Sequence, residues 1–220
     1  MEKEALNIFD KEGNHIGVAG RDEVHREGHW HETFHCWFIK RENDNCFLYF
    51  QLRSMDKKDY PNLLDITAAG HILSHETFED GIREVREETG IAVQYEELTS
   101  LGMIPYEVIM KDFIDRERAY LFLYEFSGIM GDFSLQPEEV SGIYRVELDD
   151  FEQLIDRKIT SVELNGFHLT DSGEKELKTL RAEKAAFVPH EDSYYRAVLD
   201  SIKVHIYKEA EGWKTMSSCC

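Results

Sequence analysis

The segment Arg83-Glu84-Val85-Arg86-Glu87-Glu88-Thr89-Gly90-Ile91 leaves the chain around it little freedom. Glu84, Glu87 and Glu88 are spaced i, i+3, i+4, so a helix turns all three carboxylates to one face. Like charges that close repel and weaken the helix unless a cation sits among them. The same helix carries Phe78, Ile82 and Val85 at steps of four and three, an apolar stripe that anchors it to a core. Gly90 suits the left-handed position after the last turn. The pattern predicts a helix over Thr77–Thr89, with Thr77 and Asp80 forming its cap. An anchored helix with clustered carboxylates suits Mg²⁺ or Mn²⁺, which prefer oxygen ligands.

Leu63–Thr67 reads as a short strand, and Ala68-Ala69-Gly70-His71-Ile72-Leu73-Ser74-His75-Glu76-Thr77 follows it as a loop. Strand, loop and helix together resemble the Nudix box, whose second half, Arg-Glu-apolar-x-Glu-Glu-x-Gly-apolar, is filled at every fixed position. Five residues separate Gly70 from Glu76, as in the family, but six rather than seven separate Glu76 from Arg83. The box is one residue short between loop and helix, and the acidic face is untouched. The resemblance implies an α/β fold, an α/β/α sandwich with a mixed sheet, and a hydrolase acting on diphosphate bonds with Mg²⁺ or Mn²⁺. It implies metal ligation by Glu84, Glu87, Glu88 and the Gly70 carbonyl, with Arg83 orienting a box carboxylate. Arg53, at the end of its strand, falls where related proteins place a phosphate-facing arginine. The general base varies within the family; Asp115 and Glu117 are the candidates here.

A second resemblance is to the isopentenyl-diphosphate isomerase branch of the same superfamily. It rests on Glu23-Val24-His25, His31-Glu32-Thr33-Phe34-His35-Cys36-Trp37 and Asp65-Ile66-Thr67-Ala68-Ala69-Gly70-His71. That branch binds a metal through several His and two carboxylates, and His25, His31, His71, Asp115 and Glu117 fall in matching places. Imidazole with carboxylate suits Mn²⁺, Zn²⁺ or Mg²⁺. The isomerases carry a catalytic Cys immediately before the Gly-His pair. Position 69 is Ala here, which can neither donate nor accept a proton, so hydrolysis is favoured over alkene isomerisation. A third reading is a nucleotide-binding Nudix domain without turnover. A box that is not degraded and the absence of a basic recognition helix weigh against it.

The net charge of −19 opposes DNA, RNA and anionic membranes as partners. A small anionic substrate stays compatible, because metal ions and a few basic side chains handle a diphosphate locally. The four Cys (Cys36, Cys46, Cys219, Cys220) form no CxxC pair, and no apolar run approaches a membrane span. A cytoplasmic protein with reduced thiols follows, its Cys219-Cys220 end read as a free polar tail.

Ala5–Phe9 and His15–Val18 read as an N-terminal hairpin, and residues 21–33 as a polar, His-rich stretch. Phe34–Ile39 and Cys46–Leu52 form a second hairpin. Leu101–Met110 and Arg118–Phe126 are expected strands joined by a Lys111–Glu117 loop, followed by a Gly142–Leu148 strand and a short Phe151–Ile155 helix. Gly173–Ala186 and Ser193–Tyr207, separated by Pro189, read as two helices. The expected organisation is an N-terminal hairpin extension (1–30), a Nudix domain (31–160) and a C-terminal helical extension (161–220). Tyr60, Tyr106 and Trp37 are candidates to stack on a base. A homodimer is the family-level expectation, through the N-terminal hairpin or the C-terminal helices.

Overall fold

The computed structural model describes residues 4–110 and 113–217. Strands β1 (Ala5–Phe9) and β2 (His15–Gly20) form the first hairpin, and α1 (Arg21–Glu27) follows. Then come β3 (Trp30–Glu42), β4 (Asn45–Arg53), β5 (Leu64–Ile66), β6 (Ala68–His71) and α2 (Arg83–Thr89). Strands β7 (Thr99–Met110), β8 (Phe113–Glu125) and β9 (Val140–Glu147) precede α3 (Leu148–Ile155). The chain closes with β10 (Val162–Leu169), β11 (Lys175–Ala182) and α4 (Asp192–Ser217).

The eleven strands among the described residues join one mixed sheet, with the order β11-β10-β9-β4-β3-β1-β2 along its main path. The long strand β3 is its hub. It runs parallel to β8 and antiparallel to β4 and β6. A strand buried on both faces reads as a nearly continuous apolar run, and its period of two sorts the side chains between two cores. Trp37 and Ile39 of β3 join Phe50, Leu121, Phe151 and Tyr195 beneath α3 and α4. Phe34, Cys36 and Phe38 join Val85, Phe122 and Phe133 on the α2 side. This is the expected helix–sheet–helix arrangement, and Trp37 is fully buried within it, packed edge-on to Phe50 and Tyr195, so it is core rather than a base-stacking platform.

Three further expectations change. The helix predicted over Thr77–Thr89 begins only at Arg83, after a 3₁₀ turn over Asp80–Ile82. Asp80 accepts hydrogen bonds from the Thr77 backbone N–H (2.8 Å) and hydroxyl (2.9 Å), closing a separate turn before the helix. Phe78 therefore leaves the helical stripe; its ring stacks on Tyr120 at 5.0 Å, and Val85 carries the burial. At the other end Gly90 takes the left-handed conformation (φ 72°). A Cβ there would lie 2.5 Å from the Ser134 carbonyl oxygen, so glycine is needed on both counts.

Second, Asp115 and Glu117 are not in a loop: residues 113–117 already belong to β8, while 111 and 112 lie outside the described residues. Third, the stretch Gly173–Ala186 is not helical. Lys175–Ala182 is β11, paired along its length with β10, which in turn pairs β9, so this hairpin prolongs the central sheet. Its Lys, Glu and Leu side chains favour a helix intrinsically, and cross-strand pairing overrides that preference. Ser193–Tyr207 does lie in a helix, α4, which buries Tyr195, Val198, Leu199 and Ile202 at helical spacing. Cys219 and Cys220 lie outside the described residues.

Candidate active site

Strands β3 and β8 run parallel in a register that sets His31 beside Glu117, Thr33 beside Ala119 and His35 beside Leu121. Odd-numbered residues of both strands share one sheet face. That face is apolar where Trp37, Ile39, Leu121 and Leu123 meet α3 and α4. One end of it is polar, with His31, Thr33, His35, Asp115 and Glu117. The antiparallel strand β6 brings His71 opposite Thr33, and α1 adds His25.

Three elements of local structure aim the imidazoles. His25 Nδ1 lies 2.9 Å from the Arg21 carbonyl oxygen, one helical turn back, and His31 Nδ1 lies 3.1 Å from the His29 carbonyl. His71 Nδ1 lies 3.3 Å from the Glu4 carboxylate. Each acceptor fixes the proton on Nδ1 and leaves Nε2 as a lone-pair donor, the second contact that metal-binding histidines usually make. His25 and His31 both present Nε2 to Asp115 Oδ1 at 3.5 Å. One ligand atom from each of His25, His31 and His71 falls within 4.8 Å of the others, and the same holds for His31, Asp115 and Glu117. His31 Nε2 and Asp115 Oδ1 are buried with no hydrogen-bond partner. Buried polar atoms are rarely left so, and a cation between them would satisfy both. Burial pushes His31 down to about 3, so its imidazole is neutral and competent to ligate.

The second cluster comes from α2. Glu88, 4% exposed, accepts hydrogen bonds on Oε2 from the Ala69 N–H (2.9 Å) and the Gln51 amide (3.1 Å). Glu84 packs directly against Gly70: a Cβ there would sit 2.1 Å from Glu84 Oε1. Glu87 is the outer member, its side chain 52% exposed. Burial pushes both Glu84 and Glu88 upward; Arg83 partly counters this at Glu84, and the Glu84 charge reinforces it at Glu88. Two neighbouring buried carboxylates are a poor arrangement without a cation and a good one around it. Arg83 donates to Glu84 (2.6 Å), Glu87 (3.2 Å) and Glu76 (2.6 Å).

Glu84, Glu87 and Glu88 of one cluster and His25, His71, Asp115 and Glu117 of the other line a single cleft of about 620 Å³, while His31 is fully buried. Arg21, Lys57 and Lys58 also line the cleft, Arg21 paired with Glu4 and Asp59, Lys57 with Glu139 and Lys58 with Asp22. Arg53 lies in the wall, but its guanidinium bonds Asp65 (2.8 Å) and the Asp59 carbonyl (3.1 and 2.8 Å), bracing the loop after β4. Tyr60 and Tyr106 also line the cleft, and Tyr106 is buried with its hydroxyl 2.9 Å from His190 Nδ1.

These geometric features agree with comparisons to known proteins. The NUDIX domain family matches residues 29–164. This chain belongs to the Nudix family. A Nudix hydrolase of Clostridium acetobutylicum is 41% identical over 202 residues, covering 92% of this chain and 98% of that protein. Nudix hydrolase 3 of Arabidopsis thaliana is 30% identical over 164 residues, covering 72% of this chain and 21% of that much longer protein. Among solved structures, DR0079 of Deinococcus radiodurans shares the fold at a TM-score of 0.51 and 18% identity, covering 70% of this chain and 90% of that one. Nudix hydrolases act on diphosphate bonds, typically with divalent metal ions. No helix among the described residues is long and apolar enough to cross a membrane.

Several site residues escape sequence reasoning. His35, 3% exposed, joins Glu117 to Tyr194 of α4, and His190, 8% exposed, joins Asp65 to Tyr106. His35 had a faint signal, lying four residues after His31 and hence on the same face of one strand. His190, Tyr194 and Gln51 had none, since their partners are far away in sequence.

Proposed function

We propose that this chain is a divalent-cation-dependent hydrolase that cleaves a diphosphate bond in a nucleoside-diphosphate-linked or related small molecule, using Mg²⁺ or Mn²⁺. The observation that carries this reading is the convergence of two acidic clusters, the α2 carboxylates and the His-Asp-Glu group, on one cleft. Glu84, Glu87, Glu88 and the Gly70 carbonyl would hold one cation. His25, His31, His71, Asp115 and Glu117 would hold another. Cations so placed neutralise phosphoryl oxygens and make bound water more acidic.

The chain's own groups do the rest. Glu88 and Glu84 are fixed by Ala69, Gln51 and Arg83 before any substrate arrives, so little reorganisation accompanies binding. Glu117 is held in place for ligation, its Oε2 fixed by Thr33 (3.2 Å) and His35 (3.1 Å). Lys57, Lys58 and Arg21 are basic groups of the cleft that an anionic substrate would draw from their carboxylate partners, and Tyr60 offers an aromatic face for a base or other flat group. A cytoplasmic setting, where thiols stay reduced, suits the free Cys36 and Cys46.

The His-Asp-Glu group also supports kinship with the isomerase branch. Position 69, opposite His35 in the β3–β6 ladder, offers only a methyl group for proton transfer. A product screen by mass spectrometry with Mg²⁺ or Mn²⁺ tests the assignment. Its panel holds nucleoside triphosphates, nucleotide sugars, dinucleoside polyphosphates, redox dinucleotides and isopentenyl diphosphate. Hydrolysis by the native chain, abolished by Glu84→Gln and by chelation, is the expected result. Isomerised isopentenyl diphosphate without phosphate release would replace this reading, and nucleotide binding without turnover on any substrate would make the domain a sensor.

A further inference from the structure

Glu117 is one of five candidate ligands, yet it alone is held by a chain of side chains that leaves the central sheet and ends on the C-terminal helix. Tyr194 lies in the first turns of α4, fully within the protein. Its hydroxyl is 2.7 Å from His35 Nδ1, and His35 Nε2 is 3.1 Å from Glu117 Oε2. Thr33 donates to that same oxygen at 3.2 Å. Burial holds the Tyr194 phenol protonated, so it is a donor. Donation to Nδ1 puts the imidazole proton on Nε2, where it faces the carboxylate. Oε2 thus receives two donors, and neither of them engages Oε1.

We infer that His35 is a positioning residue for Glu117. It fixes which carboxylate oxygen faces the candidate cation site, and Tyr194 sets the His35 tautomer that makes this possible. The inference rests on the metal-site reading above and deepens it. It makes the start of α4, remote from the box in sequence, part of the site. A carboxylate on a strand can rotate about its last torsion at little cost, since that torsion has broad wells. Two donors on one oxygen remove that freedom. Outer partners of this kind typically alter metal affinity by about 10- to 100-fold when removed.

The test is a titration of the intact protein with Co²⁺, followed by visible absorption, which reports ligand number and geometry without requiring turnover. His35→Ala is expected to weaken Co²⁺ uptake by about 10- to 100-fold and to change the band shape. His35→Gln, whose amide nitrogen reaches where Nε2 lies, is expected to restore affinity to within about threefold of native, a rescue by hydrogen-bond donation. Tyr194→Phe is expected to fall between them. Circular dichroism checks that each variant folds, and His35→Gln carries the test if His35→Ala does not.

Native uptake by His35→Ala, or uptake by a folded His35→Gln at least tenfold weaker than native, overturns the positioning role. His31→Ala separates this from failure of the site itself. If His31→Ala loses Co²⁺ while His35→Ala does not, the His35 inference alone falls. If His31→Ala binds like the native chain, the cluster is no metal site and the inference falls with it.

Discussion

Arg83 reaches back to Glu76, donating from Nε to Oε1 at 2.6 Å and from Nη2 to Oε2 at 3.1 Å. The same guanidinium bonds Glu84 and the His71 carbonyl. One planar group therefore ties the end of the loop, the start of α2 and the end of β6. Lysine cannot reproduce that fork, because an ammonium is a point donor. Arg83→Lys should lower kcat/KM by more than tenfold on the substrate found. Its stability cost should stay near 1 kcal/mol or below, as for partly exposed pairs. Steady-state kinetics beside urea denaturation would show that split; equal losses in both would mean the arginine serves the fold rather than the site.

Gly70 gives a sharper steric test. Its missing side chain is the space Glu84 occupies, with Oε1 2.1 Å from where a Cβ would be. Gly70→Ala must push that carboxylate aside. A misplacement on the order of 1 Å costs about 100-fold in rate. Turnover should fall by that order while far-ultraviolet circular dichroism stays native. Unchanged turnover would remove Glu84 from the metal-holding set.

Glu88 links the site to pH. Burial and the Glu84 charge hold its carboxyl above the ordinary range, so without metal the folded state binds more protons than the unfolded one. The Glu88 contribution to stability should therefore be full below about pH 4, where both states are protonated, and decline as pH rises toward the raised native value. Urea denaturation in excess chelator from pH 5 to 9 would show the decline. Glu88→Gln should flatten it and lower turnover by at least about 100-fold, since the uncharged amide is a weak metal ligand. A chelated native protein whose stability is flat over that range would contradict this.

Asp65 behaves in the opposite sense. Burial opposes its ionisation, but the His190 hydrogen bond and the Arg53 guanidinium more than offset it, and its carboxyl lies below the ordinary range. The unfolded state then binds the extra proton, so the stabilisation is present above about pH 4 and is lost as pH falls through the lower native value. Asp65→Asn should remove that acid-side loss and lower stability at pH 7, the network having lost its charge. Melting curves at pH 7 and in stepwise acid would reveal it. An unaltered acid limb in the variant would mean another carboxylate governs acid unfolding.

The legible parts were local. The α2 face is a matter of i, i+3, i+4 spacing, and the α4 stripe Tyr195, Val198, Leu199, Ile202 is of the same kind. The His cluster was visible only through resemblance, since His25, His31, His71, Asp115 and Glu117 come from α1, β3, β6 and β8. The β11 error has a clear cause. That strand is exposed along most of its length, so it shows no alternation of apolar and polar residues, and only its pairing with β10 makes it a strand. The 3₁₀ turn before α2 was masked by an apolar spacing that continued through it.

The sequence alone determined the core of the box: which carboxylates share a face and where the helix stops. Those properties depend on neighbours within a turn or two, and spacing carries them. Only the tertiary structure decided that β3 and β8 run parallel with His31 beside Glu117, and that Tyr194 and His190 reach the site from the far end of the chain. Sheet register and helix docking are set by burying apolar area across long separations. No local pattern of residues encodes where the polar end of such a face will meet its partners.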